Sequence, residues 1–593
     1  MAIFSKQQIP SAVKKHSKLD VSGTHITSAG FMECQPVFYR HMIAGEHLKG
    51  NISALTRLAP VAVPCYGRCR LNLRSFFVPF DMVMPNFSDM LVDTVASNYD
   101  DSSLVADSPK FQAVELLNMF LNDTEVGNPL SEQVTDPNAV FDFTVGSYNY
   151  KFTDIGRRYY KILVGLGYQL IVTTDKTSFY YSALPLLCYA KVFVDYYSNL
   201  AYSNSADYLY ITRLFKYNDP TAALLLSHTE IFTILQFIYS VCYDGGHDVY
   251  VNAWDNPVSP TSGNFTSSVQ NDVTLLSQLN SVDSSSTVTV ETSSNGTPYM
   301  RTSSSSTIGS QYIHDMLNAM TEYFKRNQLS GSLAVQRFLS NYGIKLDNKS
   351  IKRSYYLGSQ SIDIDFGSVL QTADTSGSNE PSNLGDYAGV GFGKGGLDVD
   401  FTCDQFGLFL VIASIVPAAD IVQGFDRNNL HINKLDFYNQ VFDNLGCAAI
   451  ARGEVYCSRD SNFINANTDY LKIFGFAPRF YEYKQGRSFL SGDFYVKSAM
   501  VGGSSWHLYR LFDDNSFIGQ VNGLTHSLNF TRGVDNSQYD RIFQLENPDV
   551  DKFYLCVHAA LEAYSPCMSL FETYRFENAG KVLEMNGNSA SVN

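Results

Sequence analysis

The stretch YGRCRLNLRSFFVPFDMV (66–83) gives the clearest indication of the fold, and its centre is Cys69–Phe77. There Leu71, Leu73 and Ser75 alternate with bulkier or polar neighbours, and this period of two predicts a β-strand with one buried face. Such β-prone runs, each closed by Gly or Pro, also come before it, in QPVFYRHMIAGEHLKG (35–50) and LTRLAPVAVP (55–64). These runs predict several short strands in the first part of the chain.

Strand patterns return in the second half. In IDIDF (362–366) and LDVDF (397–401) carboxylates alternate with apolar side chains, as on strands with one face in solvent. A long loop of turn formers, TADTSGSNEPSNLGDYAGVGFGKGG (372–396), is expected between them. The apolar run 406–419 has 14 residues and includes Ser414 and Pro417. Because a membrane-spanning helix needs about 20 apolar residues, this run predicts a buried strand and no membrane insertion.

Three segments have helical spacing instead: 110–122, 183–197 and 311–326. In the last, apolar residues such as Ile313 and Met316 recur at intervals of three and four, which predicts a helix with one core-facing stripe. Many short strands, long loops and a few helices favour a mainly β protein, an all-β sandwich that carries insertions.

The charge is divided unevenly along the 593 residues. The net charge is −15, but residues 1–80 hold ten Lys or Arg against three Asp or Glu, a net +7, and the remainder carries −22. Residues 1–30 are polar and basic, and we expect them to form a flexible N-terminal arm, although an ordinary solvated terminus fits the same pattern. Lysines on such an arm neutralise phosphates without reading sequence, so the candidate nucleic-acid-binding residues are Lys6, Lys14, Lys15 and Lys18.

Residues 259–310 contain 25 Ser or Thr among 52 residues and lack the apolar periodicity of a core element. Thr287–Val290 favour extended chain, so exposed strands are compatible with this composition. We expect a large surface insertion here, with a disordered linker as the alternative.

Composition excludes several classes of protein. With 45% hydrophobic and 14% aromatic residues the chain has too much apolar content for wholesale disorder. The N-terminus lacks the apolar core of a signal peptide, and ten cysteines in 593 residues are too sparse for a disulfide scaffold. We therefore expect a soluble, non-secreted protein with reduced thiols.

Sequence motifs offer no catalytic, cofactor or metal site. Gly391, Gly393 and Gly396 match GxGxxG formally, but a strand-like LDVDF follows where a dinucleotide site needs a helix, so a flexible loop is expected. Cys65 and Cys69 lack the second pair of a zinc site and are interpreted as free thiols on a strand. His507 has no nucleophile motif beside it and is interpreted as structural. We expect no enzyme activity and no cofactor.

Five passages, in order between about residues 31 and 512, carry a family resemblance. They are RLAPVAVPCYGRCRLNLRSFFVPFDMVMPNF (57–87), SALPLLCYAKVFVDYY (182–197), SIKRSYYLGSQ (350–360), GKGGLDVDFTCDQFGLFLVIASIVPAADIVQGFDR (393–427), and IFGFAPRFYEYKQGRSFLSGDF (473–494) with the later WHL (506–508). Together they resemble the major capsid protein of the Microviridae, the small single-stranded DNA phages, and in particular its gokushovirus-like branch. Phe476–Pro478 depart from the YQE usual in that family.

The resemblance implies an eight-stranded antiparallel jelly roll with long insertions, one capsid domain over residues 31–593, with the 1–30 arm inside the particle. It further implies self-assembly through pentamers into a small icosahedral shell around circular single-stranded DNA. Segment 259–310 is then the candidate protrusion at the threefold axes, with a role in host attachment. The implied partners are other copies, the genome, other virion or scaffolding proteins and a host-cell surface receptor, and the implied location is the virion, assembled in the bacterial cytoplasm.

Two other functions fit the composition. A β-rich glycan-binding surface protein would also be aromatic, acidic and rich in Ser/Thr loops, but the missing signal peptide counts against it. A hydrolase on a β-sandwich would need a cluster of carboxylates or a nucleophile with its base, and no motif of that kind is visible.

Overall fold

The computed structural model describes most of the first 240 residues and the sheet-forming parts of the remainder. The described residues are 17–61, 65–85, 87–92, 108–121, 130–135, 140–172, 179–198, 206–216, 224–239, 241, 288–292, 298–302, 319, 322, 326, 339–344, 352–370, 387–418, 420–432, 436–443, 447–455, 457, 473–494, 506–510, 537–544, 550–567, 572–574 and 582–584.

Strands dominate these residues. In chain order they are β1 (Ser17–Asp20), β2 (Gly23–Ala29), β3 (Cys34–Met42), β4 (His47–Leu58), β5 (Cys69–Pro79), β6 (Lys110–Gln112), β7 (Ser131–Val134), β8 (Phe143–Val145), β9 (Tyr148–Phe152), β10 (Tyr180–Ser182), β11 (Leu225–Leu226), β12 (Val288–Thr292), β13 (Pro298–Thr302), β14 (Tyr355–Leu370), β15 (Tyr387–Thr402), β16 (Gly407–Pro417), β17 (Cys447–Ala451), β18 (Ile473–Pro478), β19 (Phe553–Ser565), β20 (Glu572–Tyr574) and β21 (Val582–Glu584).

Helices are shorter and concentrate between β5 and β12. They are α1 (Phe87–Val92), α2 (Ala113–Leu121), α3 (Asp154–Gly165), α4 (Leu184–Val192), α5 (Ala206–Leu214), α6 (His228–Tyr239), α7 (Arg452–Val455) and α8 (Ser537–Asp540), with a π-helical turn at Phe193–Tyr197 and 3-10 turns at Phe80–Met82, Arg427–Leu430, Gln440–Phe442, Tyr481–Tyr483 and Gly492–Phe494. The helices predicted over 110–122 and 183–197 are confirmed, although β6 takes the first three residues of the former.

Nine strands form one curled antiparallel sheet in the order β1-β19-β4-β15-β14-β5-β16-β3, with β2 also paired to β19. The long strands β14 and β15 make the curl: they pair with each other only over 365–370 and 387–392, and their remaining residues pair with β5 and β4. The sheet therefore has two halves, an outer layer of β1, β2, β19, β4 and β15 and an inner layer of β14, β5, β16 and β3.

The two layers enclose the first hydrophobic core. Alternating residues supply it, among them Leu71 and Leu73 of β5, Ile362 and Ile364 of β14, and Leu397 and Val399 of β15, all at most 5% exposed. Their neighbours Asp363, Asp365, Asp398 and Asp400 are exposed. The strands predicted from CRLNLRSFF, IDIDF and LDVDF are thus confirmed, with the carboxylates on the solvent side.

A second core lies on the other face of the inner layer, where helices α2 to α6 cover β5 and β16. On β16, Leu408, Leu410 and Ile412 contact the helices, and Phe409 and Val411 contact the sandwich core. Burial on both faces explains the unbroken apolar run that predicted a buried strand here. Helix α4 is buried along its whole length, in keeping with its apolar sequence LPLLCYAKV.

The glycine-rich segment before LDVDF is a strand, so the loop expected over 372–396 is wrong from Tyr387 onward. Close approach explains the glycines: a Cβ on Gly391 would lie 2.7 Å from the Asp365 carbonyl oxygen, and one on Gly395 would lie 2.6 Å from the Ile362 side chain. Glycine in a strand can thus mark a place where another strand passes closely rather than a flexible loop. The GxGxxG match falls inside this strand.

Three further expectations, the N-terminal arm, the insertion at 259–310 and the helix over 311–326, fall only partly within the described residues. Residues 17–29, within the segment expected to be an arm, form β1 and β2 and pair with β19, whereas 1–16 lie outside the described residues. In segment 259–310 the described part is the hairpin β12–β13, which matches the extended propensity of Thr287–Val290. The helix predicted over 311–326 lies outside the described residues except for three positions.

Candidate assembly and nucleic-acid surfaces

Lys18 is the one predicted nucleic-acid-binding residue within the described part of the chain; Lys6, Lys14 and Lys15 lie outside it. It stands on β1, opposite Tyr564 of β19, and its Nζ is 2.7 Å from Glu562 Oε1. The hydrogen bond to Glu562 raises the pKa of Lys18. Both side chains are about half exposed, so the ion pair is weak and its lysine can exchange partners.

The outward face of the outer layer is open to solvent and carries further paired charges near Lys18. Lys49 Nζ lies 3.9 Å and His47 Nε2 3.6 Å from Asp400 carboxylate oxygens, and the Asn51 side chain donates to Asp398 over 2.7 Å. The basic and acidic groups at this end of the face therefore largely neutralise each other.

An apolar patch is formed by side chains of the loop after β16 and of the 3-10 turn after β18. It consists of Ile432, Phe437, Tyr438, Val441 and Tyr483, whose exposed fractions run from 49% for Tyr438 to 82% for Ile432. The rings form one cluster: the Tyr438 and Tyr483 centroids are 6.0 Å apart, and His431 stacks on Tyr483 at 5.8 Å. Exposed rings grouped in this way, with exposed Ile432 and Val441 on the same loops, are typical of surfaces that contact other molecules.

A buried charge network holds the loops beneath the apolar patch. Arg427 Nη1 lies 3.0 Å from Glu454 Oε1, and its Nε lies 3.7 Å from Glu482 Oε2; both glutamate side chains are almost fully buried. The Tyr481 hydroxyl donates to Glu454, and burial together with this hydrogen bond raises the pKa of Tyr481. His431 Nε2 is 3.3 Å from Glu482 Oε1. The network fixes the loop backbone and so orients the patch.

A cleft of about 890 Å³ adjoins this network. Arg427, Glu454 and Tyr481 line one side, and Phe425 and Phe489 contribute apolar surface. The glutamates that face it are already engaged by Arg427 or Tyr481. No group of three His, Cys, Asp or Glu side chains among the described residues is arranged to hold a metal ion.

The cysteines and the histidine that were interpreted as structural lie in buried or half-buried positions. Cys69 and Cys34 are buried free thiols, and Cys65 is half-buried. Burial raises the pKa of Cys69. His507 is 4% exposed; burial, with the nearby Arg541, lowers its pKa to about 4, and its Nδ1 accepts a hydrogen bond from the Tyr509 amide.

Sequence reasoning missed the apolar patch. Its signal was weak: Ile432 and Val441 lie in the loop sequence NNLHINKLDFYNQVFDNLG (428–446), where apolar residues are mixed with polar ones without a regular period. Scattered exposed apolar residues are normal on protein surfaces, so only their spatial grouping makes them informative.

A family model described as "Capsid protein (F protein)" matches residues 7–131 and 238–564, well over half of the chain. The chain belongs to this phage capsid protein family. The sheet strands from β2 to β5 and from β14 to β19 fall within the match, except for Ser565 at the end of β19, while α3 to α5 lie in the segment between its two parts.

Two relatives agree with the family match. Capsid protein VP1 of Bdellovibrio phage phiMH2K is 23% identical over 564 residues, 91% of this chain and 92% of that protein. Capsid protein VP1 of Chlamydia phage 1 is 27% identical over 210 residues, so that alignment covers only about a third of either protein, 34% of each. Both are proteins of Microviridae, and the resemblance stated from sequence is confirmed.

Membership of this capsid family gives the chain a structural role in the virion, and the chain is not an enzyme. Family membership also favours a capsid protein over the two alternatives, a glycan-binding protein and a hydrolase. No helix within the described residues combines the length and apolarity needed to cross a bilayer.

Proposed function

We propose that this chain is the major capsid protein that self-assembles through pentamers into a small icosahedral shell around a circular single-stranded DNA genome. The observation that carries the proposal is the family match over both sheet-forming parts of the chain. Assembly would take place in the cytoplasm of the bacterial host, with other virion or scaffolding proteins as partners.

The fold that suits this role is an eight-stranded jelly roll, and the strand order supports it. If the strands β2, β3, β4, β5, β14, β15, β16 and β19 are numbered one to eight, the outer layer has the order 1-8-3-6 and the inner layer 2-7-4-5. All these pairings are antiparallel. Such interleaving is that of two Greek keys wrapped into a double-sheet roll, the architecture of many viral capsid domains.

The apolar patch would be a contact between copies. A closed shell needs heterologous contacts whose rotations close, and the buried centres of such contacts favour aromatic and apolar side chains. Ile432 and Val441 are more than three quarters exposed in the single chain, so burying them against a neighbour removes apolar surface from water.

The remaining roles follow from this assignment. Lys6, Lys14 and Lys15 would contact genome phosphates inside the shell, and Lys18 would join them by exchanging Glu562 for a phosphate. Segment 259–310 would form the outer protrusion that meets a host-cell receptor.

Deleting residues 1–16 should lower the amount of packaged DNA and make packaging less sensitive to salt. Unchanged packaging would overturn the role of the arm.

Assembly is tested by expressing the chain with its neighbouring viral genes, followed by sucrose-gradient sedimentation and negative-stain electron microscopy. We expect uniform small icosahedral particles. Ile432→Asp and Val441→Asp should leave soluble subunits near the top of the gradient, whereas the conservative control Ile432→Leu should still assemble. Particles formed equally well by all three variants would remove the apolar patch from the contacts, and monomers from the unmodified chain would contradict the shell.

A further inference from the structure

Three side chains form a row across the outward face of the outer layer. Tyr554 of β19 lies opposite Arg57 of β4, and Arg57 lies opposite Phe392 of β15. Phe392 is 61% and Tyr554 46% exposed, while their chain neighbours Phe553, Leu555 and Gly391 are buried. Because neighbouring strands are about 4.8 Å apart, the two rings stand about 10 Å apart with the guanidinium between them.

A second cation lies beside this row. Lys394 is two residues beyond Phe392 on β15 and therefore on the same face, opposite Leu55 of β4. Along the same cross-strand line Leu55 pairs with Cys556, and Cys556 with Ile26 of β2, which is 77% exposed. The face here thus combines exposed aromatic and aliphatic surface with two cations; we call Arg57, Phe392, Lys394 and Tyr554 the aromatic–cation row.

The cations of the aromatic–cation row differ from the others on this sheet. Lys18 and Lys49 are paired with Glu562 and Asp400, and Arg70 Nε lies 2.8 Å from Asp363 Oδ1. Arg57 and Lys394 make no ion pair or side-chain hydrogen bond to any residue that the structure describes. The nearest carboxylate in the register is the exposed Asp365, opposite Phe392 at the edge of the row. Two exposed rings, with one cation between them and a second beside them, and neither cation paired within the described residues, complement an anionic ligand that has flat apolar parts.

We propose that the aromatic–cation row binds single-stranded nucleic acid by stacking bases on Phe392 and Tyr554, with Arg57 and Lys394 on the phosphates. Stacking on exposed rings beside a positive track is how proteins hold single strands without reading sequence. The inference rests on the proposed function, since it makes this open face the wall that meets the genome. A duplex, whose bases are already stacked on each other, would bind more weakly.

The test uses the full-length purified chain and a labelled oligothymidylate of about 20 nucleotides, with binding followed by fluorescence anisotropy. The double variant Phe392→Ala/Tyr554→Ala should weaken binding about tenfold or more. Phe392→Tyr should bind like the unmodified chain. Each of Arg57→Gln and Lys394→Gln should reduce the slope of log affinity against log salt by about 0.7. Lys49→Gln, on the same face but paired with Asp400, is the matched control and should change neither quantity.

The outcomes separate this inference from the proposed function. Undetectable binding by the unmodified chain, or unchanged affinity in the Phe392→Ala/Tyr554→Ala variant, overturns the aromatic–cation row as a nucleic-acid site. If that variant keeps its affinity but no longer forms particles, the face is a contact between copies and the inference is also wrong. If the unmodified chain binds through the row yet forms no particles with its viral partners, the shell proposal fails while the inference stands.

Discussion

Replacing Lys161 with methionine should weaken the contact between the helical layer and the sandwich and so destabilise the chain. Lys161 lies on α3 and is 14% exposed at its side chain; its Nζ donates to Glu33 Oε2 and to Asp551 Oδ1, each over 2.9 Å. Glu33 precedes β3 and is 2% exposed, and Asp551 precedes β19. One ammonium group thus joins a helix to two ends of the sheet.

The size of the effect follows from burial. Without Lys161, Glu33 loses its nearest cation and keeps Arg158, whose Nε is 3.6 Å away, the Gln35 amide at 3.1 Å and a hydrogen bond with the Gly30 backbone. Removing one partner of a buried pair costs about 3–5 kcal/mol, because it leaves a charge without compensation. Domains are stable by about 5–15 kcal/mol, so the loss should be large in urea unfolding followed by circular dichroism.

The pH dependence gives a second readout. Burial raises the pKa of Glu33, but the charges of Lys161 and Arg158 outweigh burial and lower it to about 2. Because the folded-state pKa lies below the unfolded value of 4.5, this stabilisation is present above pH 4.5 and is lost as the pH falls toward 2. In Lys161→Met the folded-state pKa of Glu33 should rise toward the unfolded value, so the loss below pH 4.5 should be smaller and should end at a higher pH. In Glu33→Gln the contribution of this carboxyl group to the pH dependence should be absent.

Matched variants decide the interpretation. Lys49→Met removes an exposed partner of Asp400, both side chains being 64% exposed, and should cost less than about 1 kcal/mol. Glu33→Gln/Lys161→Met should be less destabilised than the sum of its single variants, since the buried Glu33 carboxylate that Lys161 compensates is then also removed. If Lys161→Met costs no more than Lys49→Met, the reasoning is refuted.

Three further predictions concern the cores. His507→Gln should flatten the fall in melting temperature between pH 6.5 and 4, because the folded state holds His507 neutral down to a pKa of about 4; an unchanged slope would contradict this. The buried thiol of Cys188, whose pKa is raised by burial, should resist alkylation in the native chain while the half-buried Cys567 reacts. Mass spectrometry of the alkylated chain measures this, and faster labelling of Cys188 than of Cys567 would contradict it. Leu410→Ala should cost about 2–5 kcal/mol in urea unfolding, and a cost near zero would remove Leu410 from the second core.

Local patterns were enough to predict the strands with regular side-chain periods. The alternation around Leu71 and in IDIDF is set by one buried face, and the unbroken run in β16 by two. Both signals lie within a few residues of sequence, which is the range over which periodicity acts.

Features made by distant segments were not predictable in this way. The glycines of β15 suggested a loop because their purpose, close passage of β14, is visible only once the strands are paired. Likewise β19 pairs with β4 from the opposite end of the chain, and Glu33, Lys161 and Asp551 meet only in the folded protein. The aromatic–cation row also depends on distant segments. Tyr554 and Phe392 lie on one surface only because β19 and β15 both pair with β4, where Arg57 stands between them.

Assembly into a shell around DNA is best tested by cryo-electron microscopy of particles purified after co-expression. We expect an icosahedral reconstruction in which five copies surround each fivefold axis, the apolar patch around Ile432 and Val441 is buried between copies, and the open face of β19, β4 and β15 adjoins nucleic-acid density. Particles with the patch exposed to solvent, or a chain that stays monomeric with all its viral partners present, would contradict it.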